Sequence, residues 1–300
     1  MKGIEDCFVG NDFKRVTKLE KFKTFLSMIK VEHTLFALPF AFTGMFLAAR
    51  GIPSFMTIFW IIVAVLGARS GAMGFNRVAD AKIDARNPRT ANRDIPAGKI
   101  SVSEASLYTF ISFAVYFFAA YMLNPLCFYL SPLPFAVFIL YSYTKRFTFL
   151  CHIVLGVALG IAPIGAWVAV TGSLNLGIVL MGLAVLFWVS GFDIVYACQD
   201  IEFDRDEGLF SIPRYLGLRN SLYLARVFHI ISFIIFLYTW SYFDLGFIYL
   251  VGILLTGGFM VYQHSIIKPE DLSRLDMAFF NLNAYISLSI CAFTFLDLII

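Results

Sequence analysis

Two stretches of this chain place oxygen-bearing side chains at four-residue intervals where a long apolar run gives way to charge. The first is NRVADAKID, with Asn76, Asp80 and Asp84, and the second is YACQDIEFD, with Tyr196, Asp200 and Asp204. On a helix each four-residue step advances about 40° around the axis and about 6 Å along it, so each set shares one face. Carboxylates from two such faces, brought together at the mouth of a helix bundle, repel one another unless a hard cation lies between them. Mg²⁺ is the expected ion, because it takes oxygen ligands and keeps positions open for phosphate oxygens. Mere solvation of helix ends would not require two copies at one spacing.

Basic residues extend this chemistry. YSYTKRFT supplies Tyr141, Lys145 and Arg146. The segment from Asp84 to Ser103 is rich in Arg and Asn and broken by Pro88, Pro96 and Gly98, so it must leave its helix and turn back. It is a candidate lid, with Arg89 and Arg93 spaced to point together at an anion. A diphosphate carries about three negative charges, which Mg²⁺ and such side chains can neutralise together.

The elements that position these residues follow from composition. The 300 residues are 60% hydrophobic and 14% charged, with a mean hydropathy of +0.80, which excludes a soluble globular domain. The chain is expected to be all-α, a single polytopic membrane domain over 1–300. Its net charge of +3 gives no reason to expect nucleic acid as a partner. Cys7, Cys127, Cys151, Cys198 and Cys291 are scattered with no CxxC pair, and His33, His152, His229 and His264 stand isolated, so packing roles are expected for both sets.

Residues 1–30 carry Lys14, Arg15, Lys18, Lys21, Lys23 and Lys30, with Leu19, Phe22, Leu26 and Ile29 on another face. This predicts an amphipathic helix able to lie on an anionic membrane surface. Apolar spans are expected at 34–50, 54–75, 104–123, 126–144, 149–170, 176–199, 221–241, 244–263 and 277–297. With the N-terminus inside, the inner connections collect Lys82, Arg86, Arg89, Arg93, Lys99, Lys145, Arg146, Arg205, Arg214, Arg219, Lys268 and Arg274, and the outer ones only Arg50. That asymmetry predicts nine transmembrane helices around a central cavity, with a cytoplasmic N-terminus and an outer C-terminus. Residues 84–103 and 204–220 become cytoplasmic cap loops.

Both aspartate sets then fall on the inner side. GFN and GFD open the two stretches, and Ile95-Pro96 and Ile212-Pro213 follow them, which suggests an internal duplication with one Asp-rich helix in each half. Arg69 lies seven residues before Asn76, so it returns to within about 20° of the same face two turns deeper. It is expected to face the cavity, where it needs an anion or several hydrogen-bond acceptors: the carboxylate of a bound acid, a protein carboxylate or helix carbonyls.

NxxxDxxxD, YxxxDxxxD, the intervening YxxxKR and the phrase NPRTANRDIPAGKIS together resemble the UbiA superfamily of intramembrane aromatic prenyltransferases, over essentially the whole chain. The family's first motif commonly begins Asn-Asp; here Arg77 follows Asn76. The 4-hydroxybenzoate polyprenyltransferases and the relatives that prenylate 1,4-dihydroxy-6-naphthoate in menaquinone biosynthesis are the most similar in motif, and GFDIVYACQDIEFDRDEGLFSIP resembles the second group. The resemblance implies transfer of a polyprenyl group from polyprenyl diphosphate to the ring of an aromatic acid, 4-hydroxybenzoate first, in ubiquinone or menaquinone biosynthesis.

It also implies residue roles. Asn76, Asp80, Asp84, Asp200 and Asp204 would hold Mg²⁺, the four aspartates being catalytic, with Asp193, Tyr196 and Tyr141 in support. Lys145 and Arg146, with the lid arginines Arg89 and Arg93, would bind the diphosphate. The setting would be a lipid bilayer, the inner membrane of a bacterium. Dihydroxynaphthoate, a haem, a chlorophyllide or a lipid glycerol phosphate are the other acceptors of the enzyme class. A transporter, the reading from another class, would spread ionisable groups through the bilayer depth rather than gather them at one face.

Overall fold

The computed structural model describes residues 18–30, 37–275 and 277–300, so Cys7, Lys14, Arg15 and His33 lie outside the described residues. Helices account for most of it. They run α1 (Lys18–Met28), α2 (Leu38–Ala49), α3 (Phe55–Asp84), α4 (Val102–Leu123), α5 (Pro125–Leu130), α6 (Pro132–Thr144), α7 (Cys151–Thr171), α8 (Leu176–Ala197), α9 (Ile201–Asp206), α10 (Ile212–Tyr242), α11 (Phe247–Ile266) and α12 (Asn283–Ile299). A 3₁₀ turn, Cys198–Asp200, joins α8 to α9, and a π-helical turn, Met277–Leu282, leads into α12.

Among the described residues, eight helical segments are long and apolar enough to cross a membrane, with α5 and α6 together forming one and α8 and α9 another. The expected first span is represented by α2, which has 12 residues. At 1.5 Å per residue that is about 18 Å, short of a hydrocarbon core of about 30 Å. The architecture is an all-α, multi-pass membrane bundle. Large apolar side chains on its outside, such as Phe55, Phe110, Tyr129, Phe247 and Val261, are exposed in the way a lipid-facing surface requires.

Small residues let the helices meet. An added Cβ at Gly67 would lie 2.8 Å from the Tyr116 backbone nitrogen, and one at Gly160 would lie 2.5 Å from the Gly182 carbonyl oxygen. These glycines therefore set the α3–α4 and α7–α8 contacts, where close backbone approach replaces the missing hydrophobic drive. Gly160→Leu is expected to destabilise the protein by about 1–3 kcal/mol through overpacking. A lower melting temperature in detergent would show it, and an unchanged one would mean that α7 and α8 do not meet there. Trp188, fully buried on α8, packs against Phe40 of α2 and Phe192, with Phe236 of α10 stacked on Phe40.

Three expectations are corrected. The apolar face of α1 is only partly free for lipid, because Ile29 is buried in a cluster with Phe25, Met28, Ile100 and Ala105. Lys21 also pairs with Glu104, and only Leu19 and Phe22 of that face stay exposed. Residues 204–220 are not a loop, since they hold the end of α9, a short connection and the start of α10 from Ile212. The Ser211 hydroxyl caps α10 by accepting from the Arg214 backbone, and the helix breaks at Gly217, whose φ of 72° favours glycine. Finally, Tyr196, Asp200 and Asp204 do not share one uniform helix, because the 3₁₀ turn tightens the backbone between them.

Candidate active site

α3 carries the first aspartate set into the bundle without a break, so Asn76, Asp80 and Asp84 keep helical register to its last residue. α8, the 3₁₀ turn and α9 bring Asp200 and Asp204 to the same end. Between them lies a cavity of about 1250 Å³, lined by Asn76, Asp80, Asp84, Asp200 and Asp204. It continues past Ile61 and Leu159 to Leu123 at the end of α4 and Leu174 just beyond α7, so a charged end opens into a long apolar shaft.

Every aspartate of the two sets is held. Lys145 Nζ lies 2.6 Å from Asp80 Oδ2 and Arg146 Nη2 lies 2.8 Å from Asp80 Oδ1. Asn76 Nδ2 donates to Asp80 Oδ2 at 3.3 Å. Arg93 Nη1 reaches both oxygens of Asp84, at 2.7 and 2.8 Å. Arg89 grips Asp200 through two parallel bonds, Nε to Oδ1 at 3.0 Å and Nη2 to Oδ2 at 2.6 Å, and its Nη1 donates to the Tyr196 hydroxyl at 3.2 Å. Asn87 adds a bond to Asp200 Oδ1 at 3.2 Å, and the Ser211 hydroxyl donates to Asp204 Oδ2 at 2.6 Å. Burial disfavours the charge on Arg89, but the bond to Asp200 and its negative charge outweigh that, and the Arg89 pKa rises above its ordinary value.

The segment 85–101 forms the roof over this end. It bridges both halves, because Arg93 binds α3 while Arg89 binds Asp200, and Arg86 pairs with Glu207 at 2.8 Å. The Phe210 backbone N–H donates to the Lys145 carbonyl at 2.7 Å, which ties the α6 end to the connection between α9 and α10. The side chains of Arg89 and Arg93 therefore diverge onto different carboxylates instead of converging on one point. The expected repulsion between carboxylates is answered by these cations. Among the described residues no three His, Cys, Asp or Glu side chains converge closely enough to cage a metal ion.

Tyr141, Lys145, Asp193, Tyr196, Arg69, Arg89 and Arg93 all line the cavity. Arg69 faces it as its register requires, and Nη2 makes a long bond of 3.4 Å to the Lys30 carbonyl. Arg146 is not among the lining residues. It stands behind Asp80, donating to the Ala79 carbonyl at 2.9 Å and to Ser142, and so buttresses the aspartate.

Sequence reasoning passed over two cavity residues. Arg77 is 8% exposed and lines the cavity, which its place three residues before Asp80 could have indicated. His152 is not isolated: Nδ1 lies 2.6 Å from Asp193 Oδ2, across 41 residues of sequence. His229 and His264 are not isolated either, since their rings meet at 2.8 Å between Nδ1 and Nε2, with His229 Nε2 also 3.1 Å from the Trp188 carbonyl. No local spacing announces a pair formed between helices so far apart in the chain.

The profile of the UbiA prenyltransferase family matches residues 37–285, the part that contains both aspartate sets and the roof. This chain belongs to the UbiA prenyltransferase family. It is 30% identical to the 4-hydroxybenzoate octaprenyltransferase of Tolumonas auensis, over 80% of this chain and 84% of that one. It is 31% identical to the enzyme of the same name from Haemophilus ducreyi, over 81% and 87% of the two chains. Among solved structures, the apo UbiA homolog from Aeropyrum pernix K1 is similar with a TM-score of 0.81 and 35% identity, covering 89% of this chain and 98% of that one. The UbiA homolog from Archaeoglobus fulgidus bound to GPP and Mg²⁺ shares the fold, with a TM-score of 0.68 at 20% identity over 92% and 100% of the chains.

Proposed function

We propose that this UbiA-family protein transfers a polyprenyl group from polyprenyl diphosphate to the ring of an aromatic acid, 4-hydroxybenzoate in the first instance, in quinone biosynthesis. The observation that carries this reading is one cavity with aspartates and cations at one end and a shaft of Ile61, Leu159, Leu123 and Leu174 beyond them. A diphosphate suits the first part and a polyprenyl tail the second. The names of the relatives, at 30% and 31% identity, support the choice of acceptor.

The charges explain why a metal belongs here. Asp80, Asp84 and Asp200 already hold Lys145, Arg146, Arg93 and Arg89, so these cations are largely neutralised before a diphosphate of about three negative charges arrives. A divalent cation restores the balance, and hard carboxylate oxygens on opposite walls are the donors that Mg²⁺ prefers. Mg²⁺ takes one or two carboxylates and completes its shell with water and phosphate, so paired aspartates fit it without a three-carboxylate cage. Asp80 and Asp84, with Asn76, would hold it on one wall, and Asp200 and Asp204 on the other. When bound, it stabilises the charge that develops on the leaving diphosphate.

The chain's own residues do the rest. Lys145, Arg89 and Arg93 exchange a carboxylate for diphosphate oxygens, and the roof they carry excludes water from the prenyl cation as the C1–O bond breaks. Tyr196 holds Arg89 through its hydroxyl and ring, with the guanidinium 5.4 Å from the ring centroid. Arg146 keeps Asp80 in place. The acceptor ring attacks C1 in the layer just below. Incubation of purified protein with Mg²⁺, one prenyl diphosphate and each candidate acid, 1,4-dihydroxy-6-naphthoate included, followed by product mass, tests the reading; no prenylated acid would refute it.

We place nine spans in the bilayer, counting α2, with the roof in the cytoplasm of a bacterial cell and the C-terminus outside. The loop charges support this orientation. In a cysteine-free background, single cysteines at Lys99 and Arg219 should label only from the cytoplasmic side, and one at Gly172 only from outside. Labelling of Lys99 and Gly172 from one side would overturn the arrangement.

A further inference from the structure

We propose that Asp193 accepts the ring proton that completes prenyl transfer, and that His152 is the positioning residue that aims it. The inference rests on the reading above and adds the group that ends the reaction. Ring attack on C1 leaves the substituted carbon bonded to both hydrogen and the prenyl group, and aromaticity returns only when that hydrogen leaves as a proton. A base must therefore stand in the layer where C1 meets the ring, below the diphosphate and above the tail.

Asp193 is placed there. It lies on α8 seven residues before Asp200, about 10 Å deeper at 1.5 Å per residue, and it lines the cavity. The carboxylates of the charged end have other commitments. Asp80, Asp84 and Asp200 are neutralised by lysine or arginine, and Asp204 accepts from Ser211. Among the described residues Asp193 pairs with no lysine or arginine, and its one ion-pair partner is the His152 imidazole, so no permanently charged cation holds it. Its side chain keeps 18% exposure, and its one hydrogen bond, at Oδ2, is to His152.

His152 is built to orient and not to react. Its side chain is 4% exposed, and its Nε2 is buried with no hydrogen-bond partner among the described residues. Its backbone carbonyl accepts from Ser190 Oγ at 3.2 Å, which fixes the first turn of α7 against α8 three residues from Asp193. With its proton on Nδ1, the imidazole donates to Asp193 Oδ2, and Oδ1 has no hydrogen-bond partner among the described residues. Arg69 on α3 lines the same cavity from another helix, so an acid anchored there presents its ring between the two walls.

The step balances. The C–H electron pair returns to the ring, the proton goes to Asp193 Oδ1, and the C1–O pair has already left with diphosphate; nothing is oxidised or reduced. The proton then passes to water or to the departing diphosphate at the charged end.

The test uses full-length protein in detergent with Mg²⁺, and an acceptor deuterated at the ring position that becomes substituted. Asp193→Asn should lower kcat by about 10²-fold or more while KM for prenyl diphosphate holds, as removal of a general base does. It should also show a primary isotope effect that the wild type lacks, because proton loss becomes the slow step. His152→Leu should lower kcat less and show the same effect. Asp193→Glu, which keeps the base, should recover part of the rate, and it serves as the test if Asp193→Asn does not fold. An Asp193→Asn protein with wild-type kcat and no isotope effect overturns the proposal. So does one whose prenyl diphosphate KM rises in step with the loss, which would make Asp193 part of the metal site, or an Asp193→Glu protein no faster than Asp193→Asn. A wild-type protein that prenylates no aromatic acid would instead refute the reading on which this rests.

Discussion

Asp80→Ala and Asp200→Ala proteins are expected to lose Mg²⁺-dependent prenyl transfer by at least about 10²-fold each, since a few kcal/mol of transition-state stabilisation goes with the metal. The two substitutions should differ in stability. Asp80 is 3% exposed at its side chain and answers both Lys145 and Arg146, whereas among the described residues Asp200 answers one cation, Arg89, and is 17% exposed. Breaking a fully buried ion pair costs on the order of 3–5 kcal/mol, and the cost is smaller here because both cations at Asp80 keep 29% exposure. Asp80→Ala should therefore lower the melting temperature more than Asp200→Ala, although both lose activity alike. Folded variants with undiminished transfer would remove the aspartates from the reaction.

An Arg69→Met protein should bind the aromatic acid poorly and the prenyl diphosphate normally. Arg69 lines the cavity, and its bond to the Lys30 carbonyl is long at 3.4 Å, a geometry that a carboxylate with two well-placed oxygens would improve upon. Loss of one charged partner typically costs on the order of 2–5 kcal/mol, so KM for the acid should rise by at least about 30-fold. A matched acceptor without its carboxylate should be much less affected. Equal damage to both acceptors, or to prenyl diphosphate alone, would make Arg69 a structural or phosphate-site residue.

The sequence by itself determined the features that depend on composition and local register. Sixty per cent hydrophobic residues in long runs leave no alternative to membrane helices, because a bilayer offers no partner for unpaired backbone groups. Four-residue spacing on α3 put Asn76, Asp80 and Asp84 on one face, and the helix runs unbroken through them. Seven-residue spacing likewise turned Arg69 to the cavity. The motifs carried enough local order to be read as the UbiA family, which the match over residues 37–285 bears out.

Only the tertiary structure decided which charges meet. Arg89 and Arg93 lie four residues apart, yet one crosses to Asp200 and the other returns to Asp84, because the roof turns between the two halves. Arg146, next to Lys145 in the chain, points behind Asp80 while its neighbour lines the cavity. One edge of α1 found protein, where Ile29 is buried and Phe25 fits beside Gly74 and Tyr108, while Leu19 and Phe22 stay exposed. His152 found Asp193 from another helix. Helical periodicity fixes the direction of a side chain around its own axis and nothing about the helix that faces it. Partner choice depends on packing, and in this bundle glycines such as Gly67 and Gly160 set how closely, and therefore with whom, each helix packs.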